Sequence, residues 1–89
     1  MIDPAKIKVG GLYSRSNKVR RVVDIYDAYE PAFGKVIKFV RWEWVVGRLK
    51  YCKYSQKQNI TWLTLLASWA EFEVEENRLP AYEEAISGN

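Results

Sequence analysis

Apolar and polar positions alternate along most of the first half of the chain, with the period of two that β-strands show. This alternation predicts strands over residues 7–14, 19–26 and 35–46. A fourth strand is predicted over residues 48–54, where basic side chains occupy one face, as they do on many edge strands. Polar segments that contain Gly, Pro or Asn separate these runs and indicate turns. The pattern therefore predicts an antiparallel sheet of four to five strands.

The third predicted strand changes the phase of its alternation partway along. Ile37 and Phe39 fall on one face, whereas Trp42 and Trp44 fall on the other. A β-bulge near residues 40–41 would return all four side chains to one face. We therefore predict a bent strand here, of the kind that turns a corner in a small barrel.

From Ile60 onward the apolar spacing changes to that of a helix. The residues that follow it are Ile60, Leu63, Leu66, Ala67, Ala70 and Val74. They predict one α-helix over about residues 60–76, followed by a short tail over residues 77–89. Several glutamates crowd the second half of this helix, where the macrodipole disfavours negative charge. We expect basic side chains of the sheet to offset that repulsion.

The length of 89 residues fits one domain that spans residues 1–89. We predict a mainly β fold with one C-terminal helix. In it, a small barrel over about residues 6–54 is capped by the helix of residues 60–76. Four Trp, six Tyr and three Phe supply the apolar area that so small a core needs.

The composition also limits where the protein works. No run approaches the ~18 consecutive apolar residues that a membrane span requires, so we expect no membrane partner. The N-terminus has no apolar signal region. Cys52 is the single cysteine, which makes an intramolecular disulfide impossible and favours a reducing, cytoplasmic location.

Residue types that enzymes depend on are missing from the chain. It contains no His, so neither a Ser-His-Asp nor a Cys-His arrangement can form. One Cys without His excludes ordinary zinc sites, and no Gly-rich phosphate loop is present. We therefore predict a protein that is not an enzyme and that uses no metal or cofactor.

Charge is distributed unevenly along the chain. Residues 1–58 hold 13 Lys and Arg against 5 Asp and Glu, whereas residues 59–89 hold one Arg against six Glu. Basic side chains interleaved with aromatic rings are typical of nucleic-acid binding. The candidate residues for that function are Arg20, Arg21, Lys38, Arg41, Trp42, Trp44, Arg48, Lys50 and Lys53.

A protein partner is the other candidate. Trp62, Trp69 and Phe72 widen the apolar stripe of the predicted helix beyond what one flat sheet would cover. Such rings are enriched at protein interfaces, so this face could bind another protein or a second copy of the chain. Alternatively, the rings simply cap the barrel. A third reading is an aromatic cage for a methylated cation, formed by Trp42, Trp44 and Tyr51.

Five motifs carry a resemblance to a known group. They are Gly10-Gly11-Leu12-Tyr13, Arg20-Arg21-Val22-Val23, Val36-Ile37-Lys38-Phe39, Cys52 and Leu66-Ala67-Ser68-Trp69-Ala70. In this outline the chain resembles small uncharacterised proteins encoded by phages, prophages and their bacterial hosts. The resemblance implies an SH3-like barrel and a place in the host cytoplasm, with a counter-defence or regulatory role. Our prediction is a non-enzymatic protein that binds a host or phage protein, with nucleic-acid binding as the alternative.

Overall fold

The fold is a single antiparallel sheet with helices packed against it. The computed structural model describes residues 1–46 and 59–87. Its strands are β1 (Leu12–Arg15), β2 (Lys18–Glu30), β3 (Lys35–Val46), β4 (Asn59–Trp62) and β5 (Phe72–Val74). Its helices are α1 (Leu63–Trp69) and α2 (Leu79–Ser87), and short 3-10 turns cover Pro4–Lys6 and Glu76–Arg78. The predicted fourth strand, residues 48–54, lies outside the described residues.

The strands are arranged in the order β4-β3-β2-β1-β5, and every neighbouring pair is antiparallel. The mainly β, antiparallel prediction is therefore confirmed. Within the described residues β4 and β5 form opposite edges of this sheet, so it is not closed into the predicted barrel. The reason is that the chain from residue 59 onward adds β4 to one edge of the sheet and β5 to the other, and these two strands do not pair with each other.

The prediction of one long helix over residues 60–76 is wrong. Residues 59–62 pair with β3 as a strand, and α1 spans only seven residues. After α1 the chain pairs with β1 as β5, so the β4-α1-β5 segment crosses from one edge of the sheet to the other. The predicted tail after residue 77 forms the second helix, α2.

Each face of the sheet carries a hydrophobic core. On the face covered by α1, here called the front face, Tyr13, Val22 and Val40 pack against Leu66 and its neighbours in α1. On the opposite, back face, a smaller cluster is joined by residues of α2. It consists of Leu12, Val19, Val46 and Val74, packed against Val45, Leu79 and Tyr82. Adjacent residues of one strand therefore serve different cores, as the two-residue period of a strand requires.

Two register shifts in the β2-β3 pair decide which side chains face each core. Val23 is an extra residue in β2, and Val45 is an extra residue in β3. The bulge predicted at residues 40–41 of β3 is wrong, because pairing in β3 is continuous through Trp44. Phe39 consequently stays on the back face, apart from Trp42. The bulge at Val45 keeps Trp44 on the front face and turns Val46 to the back core.

Candidate functional site

An arginine enclosed by three indole rings is the most unusual arrangement of side chains on the front face. The guanidinium carbon of Arg20 lies 3.8 Å from the ring centroid of Trp42, 4.7 Å from that of Trp44 and 3.9 Å from that of Trp69. Trp44 meets the other two rings edge-on, at 5.0 Å and 6.2 Å between centroids. These four residues, here called the tryptophan box, place a cation against aromatic faces at favourable distances.

The strand register assembles this box. Arg20 is paired with Trp44 across β2 and β3, and Trp42 lies two residues away on the same face. Trp69 ends α1, and its carbonyl oxygen accepts a hydrogen bond of 3.1 Å from Arg15 Nη1 on β1. Two elements, β3 and α1, therefore supply the rings that enclose a guanidinium carried by β2.

The charge inside the tryptophan box has no acidic partner among the described residues. Arg20 Nε and Trp42 Nε1 are buried there, and neither has a hydrogen-bond acceptor. Residues 47–58, the internal stretch that is not described, contain no Asp or Glu in their sequence. Burial lowers the pKa of Arg20 to about 10, which still leaves the side chain protonated at neutral pH. The box thus holds a partly desolvated and unbalanced positive charge.

The predicted cage for a methylated cation is already filled in this structure. Trp42 and Trp44 do face one space, as that reading required, but Arg20 of the same chain occupies it. The third predicted member, Tyr51, lies outside the described residues.

The other basic residues predicted to bind nucleic acid do not join Arg20. Arg21 follows it directly but projects to the back face, as its register partner Leu12 does. There its guanidinium lies 3.0 Å from Glu76 and 3.9 Å from Glu43. The two neighbouring arginines therefore differ completely in environment.

Lys38 and Arg41 are also next to carboxylates. Lys38 Nζ lies 3.2 Å from Asp27 Oδ1, and Arg41 Nη1 lies 3.8 Å from Asp24 Oδ2. Arg41 is additionally placed over the ring of Tyr26, at 5.5 Å. The predicted residues Arg48, Lys50 and Lys53 lie outside the described residues. Of the described candidates for nucleic-acid binding, only Arg20, Trp42 and Trp44 come together.

The three aromatic residues predicted to bind a protein are dispersed as well. Trp69 belongs to the tryptophan box. Trp62 lies on β4, where its ring is 4.7 Å from Phe33 and its Nε1 donates a hydrogen bond of 3.1 Å to Glu30 Oε2. Phe72 lies on β5 at the opposite edge, with 66% of its surface exposed. Residues 59–74 form no single aromatic helix face, because the predicted helix is divided among β4, α1 and β5.

A groove beside β3 was not anticipated from the sequence. It encloses about 410 Å³ and is lined by Phe33, Lys35, Ile37, Lys38, Leu63 and Thr64. β4 pairs with β3 only over residues 39–42, whereas β2 pairs with β3 along its whole length. Among the described residues, the β4 side of residues 35–38 therefore has no strand partner. We call this unpaired backbone and its cavity the β3 edge groove.

Neither a metal site nor a membrane span is found in the described part of the chain. Residues 1–46 and 59–87 contain no cluster of three or more His, Cys, Asp or Glu that is placed to hold a metal ion. No helix in the same residues is long and apolar enough to cross a membrane. The chain matches no protein-family model, no curated protein and no solved structure. Function is therefore inferred from the geometry.

Proposed function

We propose that this protein is a non-enzymatic binding protein that takes an extended segment of another protein as an added strand at the β3 edge groove. The observation that carries this proposal is the edge of residues 35–38, which has no strand partner among the described residues and lies beside an apolar groove. An extended peptide satisfies such an edge through main-chain hydrogen bonds, and its alternate side chains enter neighbouring pockets.

The lining of the groove suits apolar side chains. Phe33 is 49% exposed, and Ile37 and Leu63 lie nearby in the same lining. Trp62 contacts the ring of Phe33 from β4, and its hydrogen bond to Glu30 fixes the indole. In this proposal Trp62 supports the site by positioning Phe33.

The charges at the groove favour an acidic partner over a second copy of the chain. Lys35 and Lys38 both line it. Asp27 lies 3.2 Å from the ammonium of Lys38, so Lys35 is the cation here that has no carboxylate partner among the described residues. Two copies that paired along this edge would bring four lysines together, and lysines on edge strands oppose that kind of association. A segment that alternates apolar with acidic residues would instead complement both the groove and the lysines.

The biological setting is part of the proposal. The resemblance to phage and prophage proteins supports a partner from the host or the phage, and a counter-defence or regulatory role. The single Cys supports a cytoplasmic location.

Selection from a displayed library of random short peptides tests this function. We expect the selected peptides to alternate apolar and acidic residues, and to shift the amide resonances of residues 35–38 when they bind. Ile37→Lys should abolish binding. Ile60→Lys is the matched control, because Ile60 lies on β4 outside the groove and is 57% exposed. Peptides that shift only β5, or that bind both variants equally, would refute the proposal.

Nucleic-acid binding stays a prediction with one supporting observation, the unbalanced charge of Arg20. Against it, the described residues Arg21, Lys38 and Arg41 lie close to carboxylates. A complex with single-stranded DNA that weakens steeply with salt would favour this alternative, because each phosphate contact releases bound counterions.

A further inference from the structure

Three cationic side chains project from one end of the front face. Arg15 and Lys18 are direct register partners at the β1-β2 hairpin, and Arg20 follows Lys18 by two residues on the same face of β2. The hydrogen bond from Arg15 Nη1 to the carbonyl oxygen of Trp69 places this guanidinium next to the tryptophan box. The hairpin cations and the box therefore form one continuous positive region.

This positive region is incompletely neutralised. Glu71 reaches the hairpin, where its Oε1 accepts a hydrogen bond of 3.0 Å from the backbone nitrogen of Ser16, and its one negative charge offsets only part of the charge of three cations. Among the described residues, the buried donors Arg20 Nε and Trp42 Nε1 have no acceptor. Buried polar groups in proteins are usually hydrogen-bonded, so the described part of the protein leaves the positive charge of this cluster uncompensated.

We infer that the tryptophan box and the hairpin cations form a binding site for an oxyanion, and that its ligand is a phosphate group. Stacking between indole rings holds the planar guanidinium of Arg20 in a fixed orientation, which favours directed hydrogen bonds to phosphate oxygens. A phosphate dianion also matches a region that offers more than one cation, whereas one carboxylate would leave positive charge unbalanced.

The inferred site is independent of the function proposed above. The tryptophan box involves Trp42 and Trp44 of β3, whereas the β3 edge groove involves residues 35–38 of the same strand. A variant that abolishes one activity can therefore leave the other intact, and each proposal can fail alone.

Titration of the full chain with inorganic phosphate tests the inference. The side-chain Nε–H resonance of Arg20 and the indole N–H resonance of Trp42 report on the site. We expect both resonances to shift in a saturable way, and sodium chloride of matched ionic strength to leave them unshifted. Equal effects of the two salts, or no shift with phosphate, would overturn the inference.

Neighbouring arginines supply the matched variants. Arg20→Gln should lower the affinity for phosphate at least tenfold, whereas Arg21→Gln, on the back face, should leave it within twofold. Lys18→Gln leaves the tryptophan box intact and should weaken phosphate binding by a few-fold, which keeps the inference testable if Arg20→Gln does not fold. An equal loss in the Arg20 and Arg21 variants, or no loss in a folded Lys18→Gln, would refute a site on the front face.

Competition experiments identify the source of the phosphate. A single-stranded oligonucleotide that displaces phosphate and binds much more tightly would identify a polynucleotide backbone as the source. Weak displacement by the oligonucleotide, with phosphate binding retained, would identify a free phosphate ligand. Stronger displacement by polyglutamate than by either would show that the site prefers carboxylates and would overturn the assignment to phosphate.

Discussion

The phenol of Tyr13 packs against the backbone of Gly11, in the space where any other residue would place its Cβ atom. A Cβ atom on Gly11 would lie 2.5 Å from the Tyr13 hydroxyl oxygen. That hydroxyl accepts a hydrogen bond from the Lys8 backbone nitrogen at 3.0 Å and donates one to the Lys6 carbonyl oxygen at 3.3 Å. The ring itself is fully buried in the front core. Packing therefore couples the glycine and the tyrosine of the first strand region, and both belong to the motif quoted for the phage resemblance.

Gly11→Ala should destabilise the protein by roughly 1–3 kcal/mol, because the new methyl group forces the Tyr13 ring or the backbone to move. Urea denaturation measures this loss. The cost of the alanine should be smaller in a Tyr13→Phe background, since the closest contact is made by the hydroxyl oxygen. Strictly additive effects of the two substitutions would contradict the coupling.

Ionisation of Tyr13 should lower stability as the pH rises above about 10, the ordinary pKa of tyrosine. Burial raises the pKa of the Tyr13 phenol, so the folded state retains a proton that the unfolded state has already lost. Arg20 acts in the opposite direction, because burial lowers its pKa to about 10 and the folded state releases that proton first. Arg20 is present in both proteins, so urea denaturation at increasing pH should show the stability of the wild type falling relative to that of Tyr13→Phe. A difference in stability that stays constant with pH would exclude this role of Tyr13.

Leu66→Ala should cost about 2–5 kcal/mol, because the side chain is fully buried in the front core and truncation leaves a cavity. Leu65→Ala is the matched control on the same helix. Leu65 is 51% exposed, so its truncation should cost less than about 1 kcal/mol. Thermal or urea unfolding of the two variants measures the difference, and similar losses would contradict the orientation of α1.

Arg20→Lys should lower the free energy of unfolding by about 1 kcal/mol, because an ammonium group stacks less well on indole rings and is more strongly hydrated. Its tryptophan fluorescence spectrum should also change, since three of the four Trp rings contact Arg20. Arg21→Lys should change stability by less than about 0.5 kcal/mol, because its ion pairs with Glu43 and Glu76 are partly exposed. If both variants lost equal stability, stacking would not be the cause.

Local alternation was sufficient to predict the central hairpin. The predicted bounds of β3, residues 35–46, are those of the structure, because Gly34 ends the preceding turn and a long β-branched and aromatic run follows it. β2 continues four residues beyond its predicted end at Tyr26. Residues 27–30, interpreted as part of a connection because Pro31 and Gly34 follow them, pair with β3 to the tip of the hairpin.

The second half of the chain was mispredicted because its apolar residues fit two periods. Residues 71–74 alternate between glutamate and apolar side chains, which also fits a strand. The glutamates there were expected to be offset by basic side chains of the sheet, whereas in the structure Glu73 belongs to a strand and carries no helix-dipole penalty. Pairing with β1 decides the outcome, and that partner lies about sixty residues away in sequence. The tryptophan box could not be predicted from local sequence either, because it also depends on contacts between distant residues. Arg20 and Trp69 come together only because α1 crosses the sheet.

The β4-α1-β5 crossover has almost no spare length. Four strand spacings separate the two edges, or about 19 Å for a flat sheet. Seven helical residues span about 10 Å, and the extended link to Phe72 adds about 10 Å more. The width of the sheet and the length of this connection are therefore matched. A deletion within it would force the sheet to curl more tightly, whereas an added residue would relax this constraint and leave strand pairing to hold the two edges.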